Sequence, residues 1–175
     1  MFQRGDKAAA GSRMRETGLM LVTNHVLSGA LIGALTRTPL LAFPLGAASH
    51  LPLDAAPHWG QWDNRRHFLR VAVADGLTGL ATMAVATIVA DPRQRPAVVA
   101  GMLGAVLPDL NKPAKLFFGR SPFPAGFDAV HTRVQDEAPN RFRSHEVPAG
   151  AVFAGAFVGL ALAARHRSTV RAGAS

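Results

Sequence analysis

The chain has no cysteine, and only 17% of its 175 residues are charged. Without cysteine there is no disulfide framework and no thiolate ligand, so a metal site must be built from His, Asp and Glu. The charged fraction lies below the roughly 25% that is usual in soluble domains. Runs of strand-forming residues are scarce, whereas Gly and Ala are abundant. This composition indicates closely packed helices.

The formal net charge is +8, from 19 Lys and Arg against 11 Asp and Glu. Such a charge raises nucleic-acid binding as a first hypothesis. However, the basic residues lie between apolar segments and no recognised nucleic-acid signature accompanies them. Charges that flank membrane segments explain this distribution better, so we predict no nucleic-acid partner.

The chain divides into three parts by composition. Residues 1–19 are polar and basic and are predicted to be a disordered extension, with Met20 as an alternative start. Residues 20–166 form the predicted helical domain, and residues 167–175 a disordered tail. The short apolar stretch 26–35 would suit a signal peptide, but no convincing small-residue cleavage site follows it.

Five apolar segments are bounded by prolines or by capping residues, which predicts an all-α, compact up-and-down bundle. Thr23 or Asn24 is the expected N-cap of the first helix. A helix that crosses a membrane needs about 20 apolar residues, and the third and fifth segments are long enough. The bundle is therefore predicted to be membrane-embedded. The segments are about 23–36, 39–55, 66–90, 96–110 and 147–164.

Charge bias predicts the orientation of this bundle. If all five segments cross, the N-terminal arm and the loops 56–66 and 111–146 share one side and carry four, two and six Lys or Arg, against six on the other side. The positive-inside rule then places the N-terminus in the cytoplasm. We predict a multi-pass protein of the inner, cytoplasmic membrane.

Two small-residue patterns are present, Gly29-x3-Gly33 and Gly155-x3-Gly159. Spacing of this kind lets helix backbones approach closely in lipid. In a chain rich in Gly and Ala, ordinary close helix packing is an equally good interpretation.

The strongest site signal lies at the end of the second segment. His50 and Asp54 are four residues apart, so on a helix they share one face, as two ligands of one ion require. Pro57 then breaks the helix and lets His58 turn back toward the same point. This nitrogen and oxygen set suits zinc, or alternatively manganese or iron.

Up-and-down alternation places further polar residues at the same end of the bundle. His25 begins the first segment, Asp75 lies in the first part of the third, and Asp109 ends the fourth. A carboxylate such as Asp75 inside an apolar helix is costly unless it is paired or ligated, and Arg66 or Arg70 would be its alternative partner. The roles of four more residues at this end stay open: His67, His131, His145 and Glu146.

The strings Thr23-x-His25, Ser49-His50-x3-Asp54-x2-Pro57-His58 and Leu107-Pro108-Asp109 resemble the bacterial predicted membrane-bound metal-dependent hydrolases. That group is distantly similar to zinc-dependent phospholipase C. The resemblance implies metal-ligand roles for His25, His50, Asp54 and His58. Two strings that many members carry, Asp-x-Asp-His-Pro and His-Arg-Gly-x-Thr-His, are absent.

By this resemblance the expected function is metal-dependent hydrolysis of a phosphoester or lipid head group at the membrane. Asp75 or Asp109 would bridge metals or act as the general base. A basic group formed by Lys112, Lys115 and Arg120 could hold an anionic head group, and a solvated, membrane-facing basic loop is the favoured alternative. The alternative is a non-enzymatic membrane protein with a structural metal site or a role in handling metal or protons.

Overall fold

The computed structural model describes residues 21–60 and 64–173, so the predicted extension 1–19 lies outside the described residues. The described chain is all-helical apart from a pair of two-residue strands, which confirms the predicted all-α class. The helices are α1 (Val22–Thr36), α2 (Pro39–Ala55), α3 (Arg65–Val89), α4 (Arg95–Val106), α5 (Asn111–Phe118), α6 (Ala125–Val134) and α7 (Val147–Gly173).

Helices α1, α2 and α4 pack at backbone distance because glycines lie where they meet. A Cβ added at Gly29 of α1 would overlap the backbone of Gly101 in α4. One added at Gly104 of α4 would overlap the carbonyl of Phe43 in α2. Gly33 faces α4 in the same way, so the first small-residue pattern does pack closely, as predicted.

The N-terminus of α1 is capped from another helix. Asp75 of α3 accepts hydrogen bonds from the backbone N–H of Val22 at 2.7 Å and from the Thr23 hydroxyl at 3.0 Å. The sequence predicts Thr23 or Asn24 as the N-cap, but neither side chain caps the helix by itself. The cap comes from α3 because the buried carboxylate satisfies N–H groups that have no partner within the first turn.

Helices α3 and α7 are long and pack mainly on α1. By length and composition, Arg65–Val89 and Phe142–Arg171 are both apolar enough to cross a membrane, and 17% of the residues in each apolar window are buried. Large apolar side chains, such as Leu80 on α3 and Val152 on α7, are exposed. A Cβ at Gly155 or Gly159 would meet nothing within 4 Å, so the second small-residue pattern has no partner in the described chain.

Segment 111–146, expected as a loop, contains α5, α6 and a single π-helical turn, Phe142–Glu146. The two helices have 8 and 10 residues, and they are far less apolar than the five predicted segments, so they did not stand out as apolar runs. Strand β1 (His58–Trp59) pairs in parallel with strand β2 (Glu137–Ala138). Beside the strands, the Asp136 N–H donates to the Asp54 carbonyl at 3.2 Å, which ties this segment to the end of α2.

Helix α7 continues past its predicted end at Ala164 to Gly173, so most of the predicted tail is helical. Two contacts hold this extension to the end of α3 and the turn after it. The Arg165 guanidinium donates to the Ile88 carbonyl at 2.5 Å, and the Ser168 hydroxyl donates to Asp91 Oδ2 at 2.8 Å.

Candidate metal centre

The end of α2 places two side chains of the site on one face. His50 and Asp54 are both fully buried, and His50 Nε2 lies 3.3 Å from Asp54 Oδ2. Their four-residue spacing therefore places both side chains on one face of α2, as the sequence predicts. The helix continues through Pro52 and ends at Ala55, so both residues lie in its last two turns.

Two further buried side chains approach this pair from other elements. Asp109 comes from the short 3-10 helix Leu107–Leu110 that follows α4, and its Oδ1 lies 3.6 Å from His50 Nε2. His131 comes from α6, and its Nε2 lies 2.7 Å from Asp54 Oδ2 and 3.5 Å from Asp109 Oδ1. The donor atoms of His50, Asp54, Asp109 and His131 all lie within 4.8 Å of one another.

The spacing of these donors suits a small divalent ion. Four ligands at about 2.0–2.1 Å from a central ion in tetrahedral geometry lie about 3.3 Å from one another. The separations from His50 Nε2 are 3.1 Å to His131 Nε2, 3.3 Å to Asp54 and 3.6 Å to Asp109. Two imidazole nitrogens and two carboxylates at these distances could therefore hold a metal ion.

Neighbouring groups hold the two imidazoles in place. His50 Nδ1 lies 2.7 Å from the Ala105 carbonyl of α4, so Nδ1 carries a proton and Nε2 faces the site. On the other ring, His131 Nδ1 lies 3.5 Å from the amide nitrogen of Asn111, and that amide donates to Asp128 at 3.0 Å. The His50 ring is therefore oriented from behind by a carbonyl group, as metal-ligating histidines usually are.

His25 lies directly beside this group. It is fully buried and stacks on His50, with 4.0 Å between ring centroids, and its Nε2 lies 3.2 Å from Asp54 Oδ1. The two oxygens of Asp54 thus face different histidines. His25 contacts the group through Asp54 and is outside the set of four mutually close donors.

His58 is also buried but belongs to a neighbouring pair. Its Nδ1 lies 2.9 Å from the Ala56 carbonyl, and its Nε2 lies 3.8 Å from Glu137 Oε1. Burial alone would lower the pKa of His58, but the hydrogen bonds with Glu137 and with the Ala56 carbonyl outweigh it and raise the pKa. His58 was predicted to be a ligand, but it faces Glu137 and is outside the set of four mutually close donors.

Two buried polar atoms of this group, His25 Nδ1 and Asp109 Oδ2, have neither a hydrogen bond nor an ion pair within the described chain. Buried polar atoms without a partner are rare and costly, and a bound ion is one of the few explanations for them. The chemistry of the donor set and these unsatisfied atoms both fit a bound cation.

Lys112 lies at the edge of the group. Its Nζ is 2.7 Å from Asp109 Oδ1, and its side chain is 18% exposed. Burial would raise the pKa of Asp109, but the charge of Lys112 and the hydrogen bond with His50 hold that pKa well below its usual range. Asp109 is therefore an anion that carries a partner cation on one side and faces the histidines on the other.

The structure does not bring Asp75 into the group, although the sequence placed it at the same end. Its carboxylate accepts hydrogen bonds from Val22 and Thr23 of α1. Glu146, also buried, accepts from the Asn24 amide at 2.5 Å and from the Trp59 N–H at 3.0 Å. Both carboxylates join helices beside the metal centre, and the catalytic role predicted for Asp75 stays a prediction.

The other candidates lie at the surface. His67 and His145 are exposed, and His145 Nδ1 lies 2.8 Å from the Ser144 hydroxyl. Of the predicted basic group, only Lys112 reaches the metal centre. Lys115 pairs with Asp128 at 2.6 Å, and Arg120 lines a separate surface pocket.

Among the four donors, His131 is the one whose role the sequence left open. It lies in a segment that was expected as a loop, so nothing local marked its ring as pointing at Asp54. The one available signal was topological, because segment 111–146 must return to the end of the bundle where His50 and Asp54 lie.

The chain matches no family model, and comparison with curated proteins and with solved structures found no match for it either. The resemblance to the predicted membrane-bound hydrolases therefore stays a prediction. What can be said of this site comes from its own geometry.

Proposed function

We propose that the protein is a membrane-bound, metal-dependent hydrolase that acts on a phosphoester, with a lipid head group as its expected substrate. The observation that carries the proposal is the buried group of His50, Asp54, Asp109 and His131, whose donor atoms lie within 4.8 Å of one another. A divalent ion held there would supply a water of lowered pKa and polarise a phosphoryl oxygen. Zinc is the expected ion, with manganese or iron as alternatives.

Lys112 supports an anionic substrate. It is the one cation in contact with the four donors in the described chain, and its side chain is partly exposed while theirs are buried. A substrate phosphate that approaches Asp109 meets the Lys112 ammonium first. Lys112 would therefore bind and orient the phosphate, while Asp109 would hold a proton taken from the attacking water.

An apolar groove supports a lipid as the source of the phosphate. The groove lies between α1, α3 and α5 and encloses about 310 Å³. Its ionisable lining residues are Asp75, Asp109 and Lys112, and the rest of the lining is mainly apolar, with Phe68, Val73 and Leu116 among its residues. An amphiphile would place its anionic group at Lys112 and its chain along the exposed face of α3.

The membrane location is part of the same proposal. Helices α3 and α7 are long enough to span the bilayer, and their exposed apolar side chains suit contact with lipid. The charge bias of the sequence favours the inner membrane with a cytoplasmic N-terminus, so the metal centre would lie at the cytoplasmic end.

The presence of four protein donors favours a second function. Structural zinc sites have four protein ligands, whereas catalytic sites keep one position open. If Asp109 ligates fully, the site is closed and its role is structural or in metal or proton handling. If Lys112 keeps Asp109 from ligating, three donors remain and one position is open.

The decisive experiment is metal analysis of detergent-purified protein by mass spectrometry, with His50→Ala, Asp54→Ala and His131→Ala as site variants. His145→Ala, an exposed histidine outside the group, is the matched control, and circular dichroism confirms that each variant folds. We expect about one ion per chain in the wild type and the control, and its loss in the three site variants.

Hydrolysis is then measured with a chromogenic phosphodiester and with short-chain phospholipids. Turnover that requires the ion and falls at least a hundred-fold in Lys112→Ala would support the hydrolase. Stoichiometric metal without turnover would instead support the structural site. A wild-type protein that holds no metal even after reconstitution with zinc, manganese and iron contradicts both.

A further inference from the structure

The opposite end of the bundle carries a concentration of arginines. A pocket of about 330 Å³ lies between the end of α1, the turn from α3 to α4, and the last turns of α7. Four arginines from these three places line it: Arg37, Arg93, Arg167 and Arg171. We call this site the arginine pocket.

Two neighbouring arginines have an ordinary structural role. Arg95 and Arg165 both donate to the Ile88 carbonyl at the C-terminal end of α3. Cations at that position satisfy unpaired carbonyl groups and interact favourably with the helix dipole. The four arginines of the pocket have no such hydrogen bond and no ion pair within residues 21–60 and 64–173.

The one carboxylate lining the pocket is already engaged. Asp91 accepts from the Arg93 backbone N–H at 2.9 Å through Oδ1 and from the Ser168 hydroxyl at 2.8 Å through Oδ2. Asp91 is buried, whereas the four guanidinium groups are exposed. The pocket therefore has a surplus of positive charge that its own side chains do not neutralise.

Arg37 adds an independent observation. It has a φ of 59°, in the left-handed region, and is the one residue other than glycine with positive φ in the described chain. Its N–H closes α1 by donating to the Gly33 carbonyl at 3.0 Å. Glycine is the favoured residue at such a helix end, so an arginine there accepts backbone strain and places its guanidinium at the pocket.

We propose that the arginine pocket binds a phosphate-bearing anion. The planar guanidinium group donates two parallel hydrogen bonds to phosphate, and arginines from separate elements can surround one such group. The contacts from Arg165 and Ser168 hold α7 against the end of α3 and so fix the pocket walls. This inference goes beyond the metal centre and does not depend on hydrolysis.

The test uses full-length protein in a non-ionic detergent and two probes. Inorganic phosphate is titrated by calorimetry at constant ionic strength, and retention of phosphatidylglycerol against phosphatidylcholine is measured by native mass spectrometry. Saturable binding of phosphate alone identifies a free anion as the ligand, and selective retention of phosphatidylglycerol identifies a lipid head group. Either result supports the proposal.

Two variants distinguish a loss of anion binding from a loss of folding. Arg37→Gly removes the guanidinium but relieves the left-handed strain, so it should fold at least as well as the wild type. We expect this variant and Arg167→Ala each to weaken binding about ten-fold, as loss of a charged hydrogen bond does. Arg66→Ala, an exposed arginine at the other end of α3, should bind like the wild type.

Absence of binding to both probes would overturn the proposal. It would also be overturned if Arg66→Ala weakened binding as much as Arg37→Gly, because general surface charge would then be responsible. Metal content measured on the same samples should stay at the wild-type value in every arginine variant, which keeps this test separate from the metal centre.

Discussion

Helices α1, α2 and α4 and helices α3 and α7 are built from similar Gly- and Ala-rich apolar sequence, but their glycines have different surroundings. In the first group a Cβ at Gly29 or Gly101 would overlap backbone of the facing helix. In the second group, Gly79 and Gly150 face side chains of α1, but Gly76, Gly155 and Gly159 face open space. The same small-residue pattern thus marks a tight helix contact in one place and a bare surface in the other.

The two groups of helices also differ in what they contribute to the protein. The tightly packed helices carry His25, His50 and Asp54, and α4 leads directly into Asp109. The outer helices supply none of the four donors and contribute apolar surface. Close packing therefore coincides with the metal centre, where donor positions must be held within fractions of an ångström.

The largest expected effect comes from filling the contact between α1 and α4. Gly101→Ala should lower the free energy of unfolding by about 3 kcal/mol or more, because a backbone carbonyl of α1 occupies the space of the new methyl group. Thermal unfolding in detergent measures this loss. An unchanged melting temperature would show that α1 and α4 do not pack at backbone distance.

Metal removal should give the next largest change. Zinc at a hundred times its Kd should raise the free energy of unfolding by about 2.7 kcal/mol, because the ion binds only the folded state. Melting curves with zinc and with a chelator measure the difference. His131→Ala should abolish it, and His145→Ala should leave it intact.

A smaller effect is expected at the polar link that Asp75 makes between α3 and α1. Asp75→Ala should cost about 1–2 kcal/mol, since Val22 and Thr23 lose their shared acceptor. Asp75→Asn keeps an acceptor oxygen and should recover part of this loss. If instead Asp75→Ala leaves stability unchanged and only abolishes turnover, the catalytic role predicted from the sequence is correct.

The smallest effect is expected on the outer face. Gly159→Ala should leave stability unchanged or raise it by about 0.5–1 kcal/mol, because alanine favours a helix and nothing lies within 4 Å. The melting temperature, compared with that of Gly101→Ala, measures this. A large loss at Gly159 would indicate that a second copy or another chain packs on α7.

Much of the helical framework was predictable because signals in the local sequence define the helix boundaries. Prolines and apolar runs marked the segments that became α1, α2, α3, α4 and α7. The spacing of His50 and Asp54 predicted their shared face for the same reason, and up-and-down alternation placed Asp109 with them.

The remainder depends on contacts between residues far apart in sequence. His131 and Asp54 are separated by 77 positions, and no local pattern encodes their contact. Asp75 was correctly singled out as a carboxylate that needs a partner, but that partner is the N-terminus of α1, not an arginine. Helix caps supplied by another element leave no signature in the sequence that they cap.

The hydrogen bond between segment 136–138 and the end of α2 also determines the order in which the helices and the four donors come together. Helices α1, α2 and α4 leave the ribosome before α6, so they can pack while His131 has not yet been made. The donor set is completed only when Asp136 bonds to Asp54 and the strands pair, which closes a loop of roughly 80 residues at a cost in chain entropy. A cation can therefore be captured by all four donors only as a late step of biosynthesis, after the apolar helices have already come together.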